Sequence, residues 1–179
     1  MKNIVKRKFS MKNKMNLSLY CEYRKEKVNI SDLNLNNYIS TENMLSNKGG
    51  VKYASSLPMI DKAQKFKKGD ILISNIRPYF KKIWKAEFDG GCSNDVLVLC
   101  SKKNINEDFL YYALSENRFF EYCMGTSKGT KMPRGDKESI MKYKIPYFET
   151  KEQIKISKIL KNIDKKILLN KTINKNLVV

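Results

Sequence analysis

The run Lys67-Lys68-Gly69-Asp70-Ile71-Leu72-Ile73-Ser74-Asn75-Ile76 decides how this chain folds. Turn-forming residues give way to an apolar, β-branched stretch of strand length, which predicts a central strand entered from Phe66. Downstream, Ile83-Trp84-Lys85-Ala86-Glu87-Phe88 reads as a second strand unit and Val96-Leu97-Val98-Leu99-Cys100 as a third. Asp89-Gly90-Gly91 between them has the residues of a chain reversal. The three together predict a twisted, largely antiparallel sheet.

Working outward, the N-terminal side is less regular. Met1 to Lys14 is lysine-rich and unpatterned, the composition of a flexible arm. Asn16 to Cys21 is expected as a short helix, Arg24 to Val28 as an edge strand, Ser31 to Asn37 as a loop and Gly49-Gly50 as a turn. On the C-terminal side, Asn106 has the chemistry of an N-cap with Glu107 and Asp108 in the first turn, and a helix is expected to run to Met124, where Gly125 stops it. Phe109, Leu110, Ala113, Leu114, Phe119, Phe120 and Cys123 recur at helical spacing, so that face belongs to the core. After Pro146, Thr150-Lys151-Glu152-Gln153 has the form of a capping box. From there Ile156, Leu160, Ile163 and Ile167 alternate four- and three-residue steps, and the register continues through Asn170 and Asn174 to Leu177. These seven residues form a coiled-coil seam for dimerisation, in which the two asparagines trade stability for register. The alternative is a helix packed on its own domain. The expected architecture is α+β, with a globular domain over residues 1–148 and a long helix over residues 149–179.

Composition narrows the function. The chain has 179 residues, with 36 Lys+Arg against 18 Asp+Glu and a formal net charge of +18. Ten Tyr and eight Phe argue for a packed body beneath that charge. A potential of this sign draws polyanions, and nucleic acid is the leading partner. An A·T-rich genome would raise the Lys and Asn content without any such role. No run of about 20 apolar residues and no signal-peptide core are visible, so a cytoplasmic protein with no membrane partner is expected.

Catalytic chemistry is poorly supported. With no histidine, imidazole-based triads and His-containing metal motifs are excluded. Cys21, Cys92, Cys100 and Cys123 form no C-x-x-C pair, so no metal is expected and buried free thiols are. Neither a phosphate-binding nor a dinucleotide-binding glycine motif is present. What remains is cationic and lies in loops. Arg77-Pro78-Tyr79-Phe80-Lys81-Lys82 follows the central strand, and residues 127–137 follow the helix. Arg77 and Arg134 can read guanine edges, whereas Lys81, Lys82, Lys128 and Lys131 suit phosphates. Tyr79, Asn94, Thr130 and Lys137 complete the candidate DNA-binding set. Ordinary solvated surface is the competing reading for each.

Several stretches, taken in order, resemble one family. They are Asn37-Tyr38-Ile39-Ser40-Thr41-Glu42-Asn43-Met44, Lys68 to Tyr79, Cys92-Ser93-Asn94-Asp95, Gly129-Thr130-Lys131-Met132-Pro133-Arg134, and Ile145-Pro146 followed by Gln153 and Ile154. The family is the DNA specificity subunit of type I restriction-modification systems, in which a target recognition domain is followed by a helical spacer. The resemblance implies recognition of double-stranded DNA through loops, a methyltransferase partner that uses S-adenosylmethionine, and a restriction subunit that uses ATP and Mg²⁺. It implies no cofactor and no catalysis in this chain. Typical members carry two recognition domains and two spacers, whereas this sequence has one of each, which implies a half subunit that forms a homodimer on a bipartite, inverted-repeat target. Two alternatives stay open: a non-assembling specificity fragment kept as a recombination reserve, and a small metal-dependent nuclease using Asp70 or Asp95.

Overall fold

The computed structural model describes residues 13–177. The basic arm expected over Met1 to Lys14 falls almost wholly outside that range, and Lys14 opens the first strand. In chain order the strands are β1 (Lys14–Asn16), β2 (Cys21–Tyr23), β3 (Lys27–Asn29), β4 (Tyr38–Ile39), β5 (Lys62–Phe66), β6 (Ile71–Ser74), β7 (Ile83–Lys85), β8 (Gly90–Cys92), β9 (Val96–Ser101) and β10 (Lys144–Pro146). The helices are α1 (Glu107–Leu114), α2 (Asn117–Gly125), α3 (Lys137–Met141) and α4 (Thr150–Leu177).

The strand predicted at residues 71–76 is indeed central. β6 pairs antiparallel with β9 on one side and β7 on the other, in a sheet of order β2-β9-β6-β7. Its apolar run is continuous because both faces are covered. Ile71 and Ile73 join Leu97, Leu99, Leu110, Phe119 and Phe120 in a core beneath the helices, whereas Leu72 joins Val96, Val98 and Trp84 in a second core on the opposite face. That second face packs on another sheet, β3-β5-β8-β4, through Ile39, Phe66 and Cys92. All its pairings are antiparallel except β4 with β8. The molecule is thus layered as helices, sheet and sheet, with β1 and β10 as a small separate ladder.

Three expectations are corrected in whole or in part. Asp89-Gly90-Gly91 is no hairpin turn: residues 90 and 91 lie in β8, where a Cβ on Gly90 would sit 2.1 Å from the Asn37 carbonyl oxygen. Glycine is there for close backbone approach, not for reversal. The edge strand expected over Arg24 to Val28 starts later: Lys27 and Val28 open β3, at the edge of its sheet, whereas Arg24 to Glu26 cross over from β2 in the other sheet. The short helix expected over Asn16 to Cys21 is present as a single 3-10 turn, Leu17–Leu19. The helix from Asn106 divides at Ser115, whose side chain donates to the Tyr111 carbonyl at 2.7 Å while Glu116 turns extended to restart α2. Asn106 does cap α1, accepting from the Phe109 amide at 2.9 Å.

The capping box of α4 also uses other atoms. Gln153 is 1% exposed and bridges two elements: its oxygen accepts from the Asn106 amide at 2.9 Å and its amide donates to the Phe148 carbonyl at 2.8 Å. Thr150 donates to the Asn104 carbonyl, and Glu152 reaches back to the Glu149 amide in the role assigned to Gln153. The start of α4 is thereby fastened to the start of α1. Lys161 with Asp108, and Tyr112 with Asp164, extend that seam along the helix.

Candidate DNA interface

The chain leaving β6 is held between two others. The Asn75 amide donates to the Asp95 carbonyl at 2.8 Å, Gly135 donates to the Asn75 carbonyl at 3.1 Å, and Arg77 donates to the Pro133 carbonyl at 2.8 Å. Three segments distant in sequence, 75–77, 93–95 and 133–135, therefore form one ledge. From it rises a tight hairpin in which Lys128 and Arg134 exchange both backbone hydrogen bonds at 2.9 Å. Gly129 takes the left-handed conformation at φ 89°, and Thr130, Lys131 and Met132 are exposed at the tip.

The cations on this ledge are paired locally. Arg134 Nη2 lies 3.2 Å from Asp95 Oδ1, and Lys128 Nζ lies 3.1 Å from Asp136 Oδ1. Asp136 caps α3 by accepting from the Ser139 amide at 2.9 Å. That backbone bond, helped by Lys128, pulls its carboxyl down to about 2. Arg77 sits at φ 49°, a conformation costly for a side-chain-bearing residue, and its Nε is buried without a hydrogen-bond partner among the described residues, as is Asn75 Oδ1. Arg77 thus combines a strained backbone, which Lys81 at φ 52° shares, with a guanidinium nitrogen left unsatisfied among the described residues.

The remaining candidates divide. Asn94 lies on the same ledge beside Asp95, and Lys137 opens α3 directly after Asp136. Tyr79 is 48% exposed and packs on Phe80 at 4.7 Å. Lys81 and Lys82 attach instead to the segment 41–48: Lys82 Nζ donates to the Thr41 carbonyl at 2.6 Å, and the Lys48 amide donates to the Lys81 carbonyl. Desolvation lowers the Lys82 pKa. The structure thus brings Arg77, Asn94, Lys128, Arg134 and Lys137 onto neighbouring segments and anchors Lys81 and Lys82 to a different loop. The pairing of Asp95 with Arg134, and of Asp136 with Lys128, escaped the sequence reading, in which Asp95 figures only as a motif residue and a nuclease candidate. Asp95 lies far from Arg134 along the chain, and Asp136 shows itself only as the first residue of an Asp-x-x-Ser cap.

The nuclease carboxylates do not meet. Asp70 is buried against Arg24 at one end of β6, whereas Asp95 faces Arg134 beyond the other end. Among the described residues, no group of three or more His, Cys, Asp and Glu is placed to hold a metal ion.

The seam on α4 is used in two ways. Ile156 packs against the domain core and Leu160 is half-buried. Ile163, Ile167 and Leu177 are 48%, 47% and 75% exposed, and Asn170 and Asn174 are exposed as well.

This layered body with a protruding helix has known counterparts. The family model of the type I restriction modification DNA specificity domain matches residues 5–178. The chain belongs to that family. The specificity subunit of the type I restriction enzyme EcoDI from Escherichia coli is 32% identical over 91 residues, which is 51% of this chain and 20% of the relative. Among solved structures, the HsdS subunit from Thermoanaerobacter tengcongensis superposes with a TM-score of 0.68 at 18% identity, over 93% of this chain and 45% of that one. The type I restriction-modification S subunit from M. genitalium gives 0.62 at 19% identity, over 92% and 43%. The chain therefore spans less than half the length of these specificity subunits, and its α+β fold is theirs. No helix among the described residues is long and apolar enough to cross a membrane.

Proposed function

We propose that this chain reads a DNA sequence on behalf of a type I restriction-modification complex and catalyses nothing itself. The observation that carries this reading is the ledge on which Arg134, Lys128, Asn94 and strained Arg77 stand together, in a member of the DNA specificity family. Arg77 and Arg134 present forked donors suited to base edges, and Lys128, Lys131 and Lys137 present point charges suited to phosphates. Thr130 and Tyr79 add exposed polar contacts. Lys81 and Lys82 contribute from the adjoining loop.

The second half of α4 supports assembly. Ile163 and Ile167 continue the apolar register on an exposed face of α4, past the core contact of Ile156, along a stretch of ~25 Å for residues 161–177 at 1.5 Å each. In this reading it pairs with the same helix of a second copy. The resulting two-fold dimer carries two equivalent reading surfaces and selects a bipartite, inverted-repeat target. S-adenosylmethionine, ATP and Mg²⁺ belong to the methyltransferase and restriction partners, and the assembly works in the cytoplasm.

Co-expression of the full chain with a cognate methyltransferase subunit tests the proposal. A stable complex that methylates DNA at a defined motif is expected. A chain that neither co-purifies with the methyltransferase nor binds duplex DNA would instead be a non-assembling fragment.

A further inference from the structure

The crossover Arg24-Lys25-Glu26 between the two sheets forms the wall of a groove of about 410 Å³, whose lining includes Tyr23, Lys25, Lys27, Gln64, Asn94 and Lys137. Its floor is β9, from Val96 to Val98. Among the described residues no carboxylate lines it. Arg24 is neutralised by Asp70, and Glu26 is occupied by Arg24 and Lys67. Lys25, Lys27 and Lys137 are exposed, and none has a carboxylate within ion-pair distance among the described residues. Three unneutralised ammonium groups thus ring a groove in a neighbourhood where the other cations, Arg24, Lys128 and Arg134, are paired.

The wall is built to hold its shape. Gln64 Nε2 donates to the carbonyls of both Arg24 and Glu26 at 2.8 Å, the Arg24 amide donates to the Val98 carbonyl at 3.0 Å, and the Arg24 guanidinium is clamped by Asp70. Tyr23 closes the far side by donating to the Lys137 carbonyl at 3.0 Å. A crossover with its backbone tied at three points presents Lys25 and Lys27 from a fixed base. The groove is also continuous with the ledge. Asn94 adjoins Asp95, which holds Arg134, and Lys137 follows Asp136, which holds Lys128.

We infer that this intersheet groove is a phosphate track: it binds the phosphodiester backbone of the duplex flanking the bases read from the ledge, through Lys25, Lys27 and Lys137. The inference rests on the DNA-reading function proposed above. Ammonium groups on flexible stems, with no guanidinium fork free in the groove, neutralise phosphates without discriminating bases. The track therefore contributes affinity and salt dependence but no sequence preference.

The test uses the full chain and a fluorescein-labelled, mixed-sequence duplex, with binding followed by anisotropy across a KCl series. The variants are K25Q/K27Q/K137Q and a control of equal charge change, K103Q/K142Q/K155Q, at exposed lysines elsewhere. Loss of three phosphate contacts lowers the slope of log K against log [KCl] by about 2 to 3 and weakens binding at least roughly ten-fold near 0.1 M salt. The control keeps most of the wild-type slope. A second readout needs no variant: duplex DNA protects Lys25, Lys27 and Lys137 of the wild-type chain from acetylation and leaves Lys103 reactive. Wild-type binding with the groove variant indistinguishable from the control overturns the track and leaves the reading surface standing. Failure of the wild-type chain to bind any duplex overturns both.

Discussion

Arg134 Nη2 is held 3.2 Å from Asp95 Oδ1, across a ledge whose backbone is shared by the Asn75-to-Arg77 exit of β6. The pair is partly exposed, so its worth to folding is small. In the proposed DNA-reading role its consequence is for binding: the pair must be given up or shared when a base or phosphate takes the same guanidinium donors. On that proposal Asp95 opposes indiscriminate contact with polyanions.

Replacement of Asp95 by Asn removes that competitor while retaining the side-chain shape. Affinity for mixed-sequence duplex is expected to rise roughly three- to ten-fold, with a smaller ratio of specific to non-specific binding. Competition binding with and without excess non-cognate DNA reads both. Weaker non-specific binding by D95N would contradict the role given to this carboxylate.

Gln153 is the buried side chain that ties the start of α4 to the start of α1, beside the more exposed Thr150. Gln153→Leu keeps the volume but strands the Asn106 N–H and the Phe148 carbonyl, at a cost of about 2–4 kcal/mol. Urea unfolding should show the loss as a lower midpoint with an unchanged slope. A fall below about 0.5 kcal/mol would mean that water replaces the bridge.

The two halves of the α4 seam should respond differently to charge. Ile163→Asp with Ile167→Asp is expected to convert a dimer into a folded monomer, read by sedimentation at about 10 µM and by circular dichroism. Ile156→Asp, half-buried against the domain core, is expected to destabilise the fold itself by about 2–4 kcal/mol. A wild-type chain that sediments as a monomer would remove the pairing role from Ile163 and Ile167.

Burial pushes the thiols of Cys21, Cys92 and Cys123 up to about 12, and raises that of half-buried Cys100 as well. A raised thiol pKa leaves almost no thiolate at pH 8, so alkylation of the folded protein is slow at all four and reaches Cys100 first through its exposure. Mass spectrometry after iodoacetamide treatment should find the other three modified only on unfolding. Equal labelling of Cys21 in native and unfolded protein would contradict that burial.

Much of this architecture is legible in the sequence because burial imposes pattern. The two-sided burial of β6 is written in Ile71-Leu72-Ile73, and the core faces of α1 and α2 in Phe109, Leu110, Phe119 and Phe120. What escapes is what depends on partners distant along the chain. Gly90 looks like a turn until the Asn37 carbonyl is seen against it. Gln153 looks like a local cap until Asn106 arrives. On the interface, residue type singles out Arg77 and Arg134 but says nothing of Asp95, and it cannot separate Lys82, drawn to the Thr41 carbonyl, from Lys128 on the hairpin.

The central claim is that loop residues of this chain choose the DNA sequence that a partner modifies. Its most direct test is methylome sequencing of cells that express a cognate methyltransferase with the wild-type chain, with Arg134→Ala or with Lys128→Ala. The account predicts a bipartite motif for the wild type, the same motif relaxed at one position per half-site for R134A, at about 1–3 kcal/mol of discrimination, and uniformly weaker methylation of an unchanged motif for K128A. An unaltered motif in R134A, or an equal loss at every site in both variants, would contradict it.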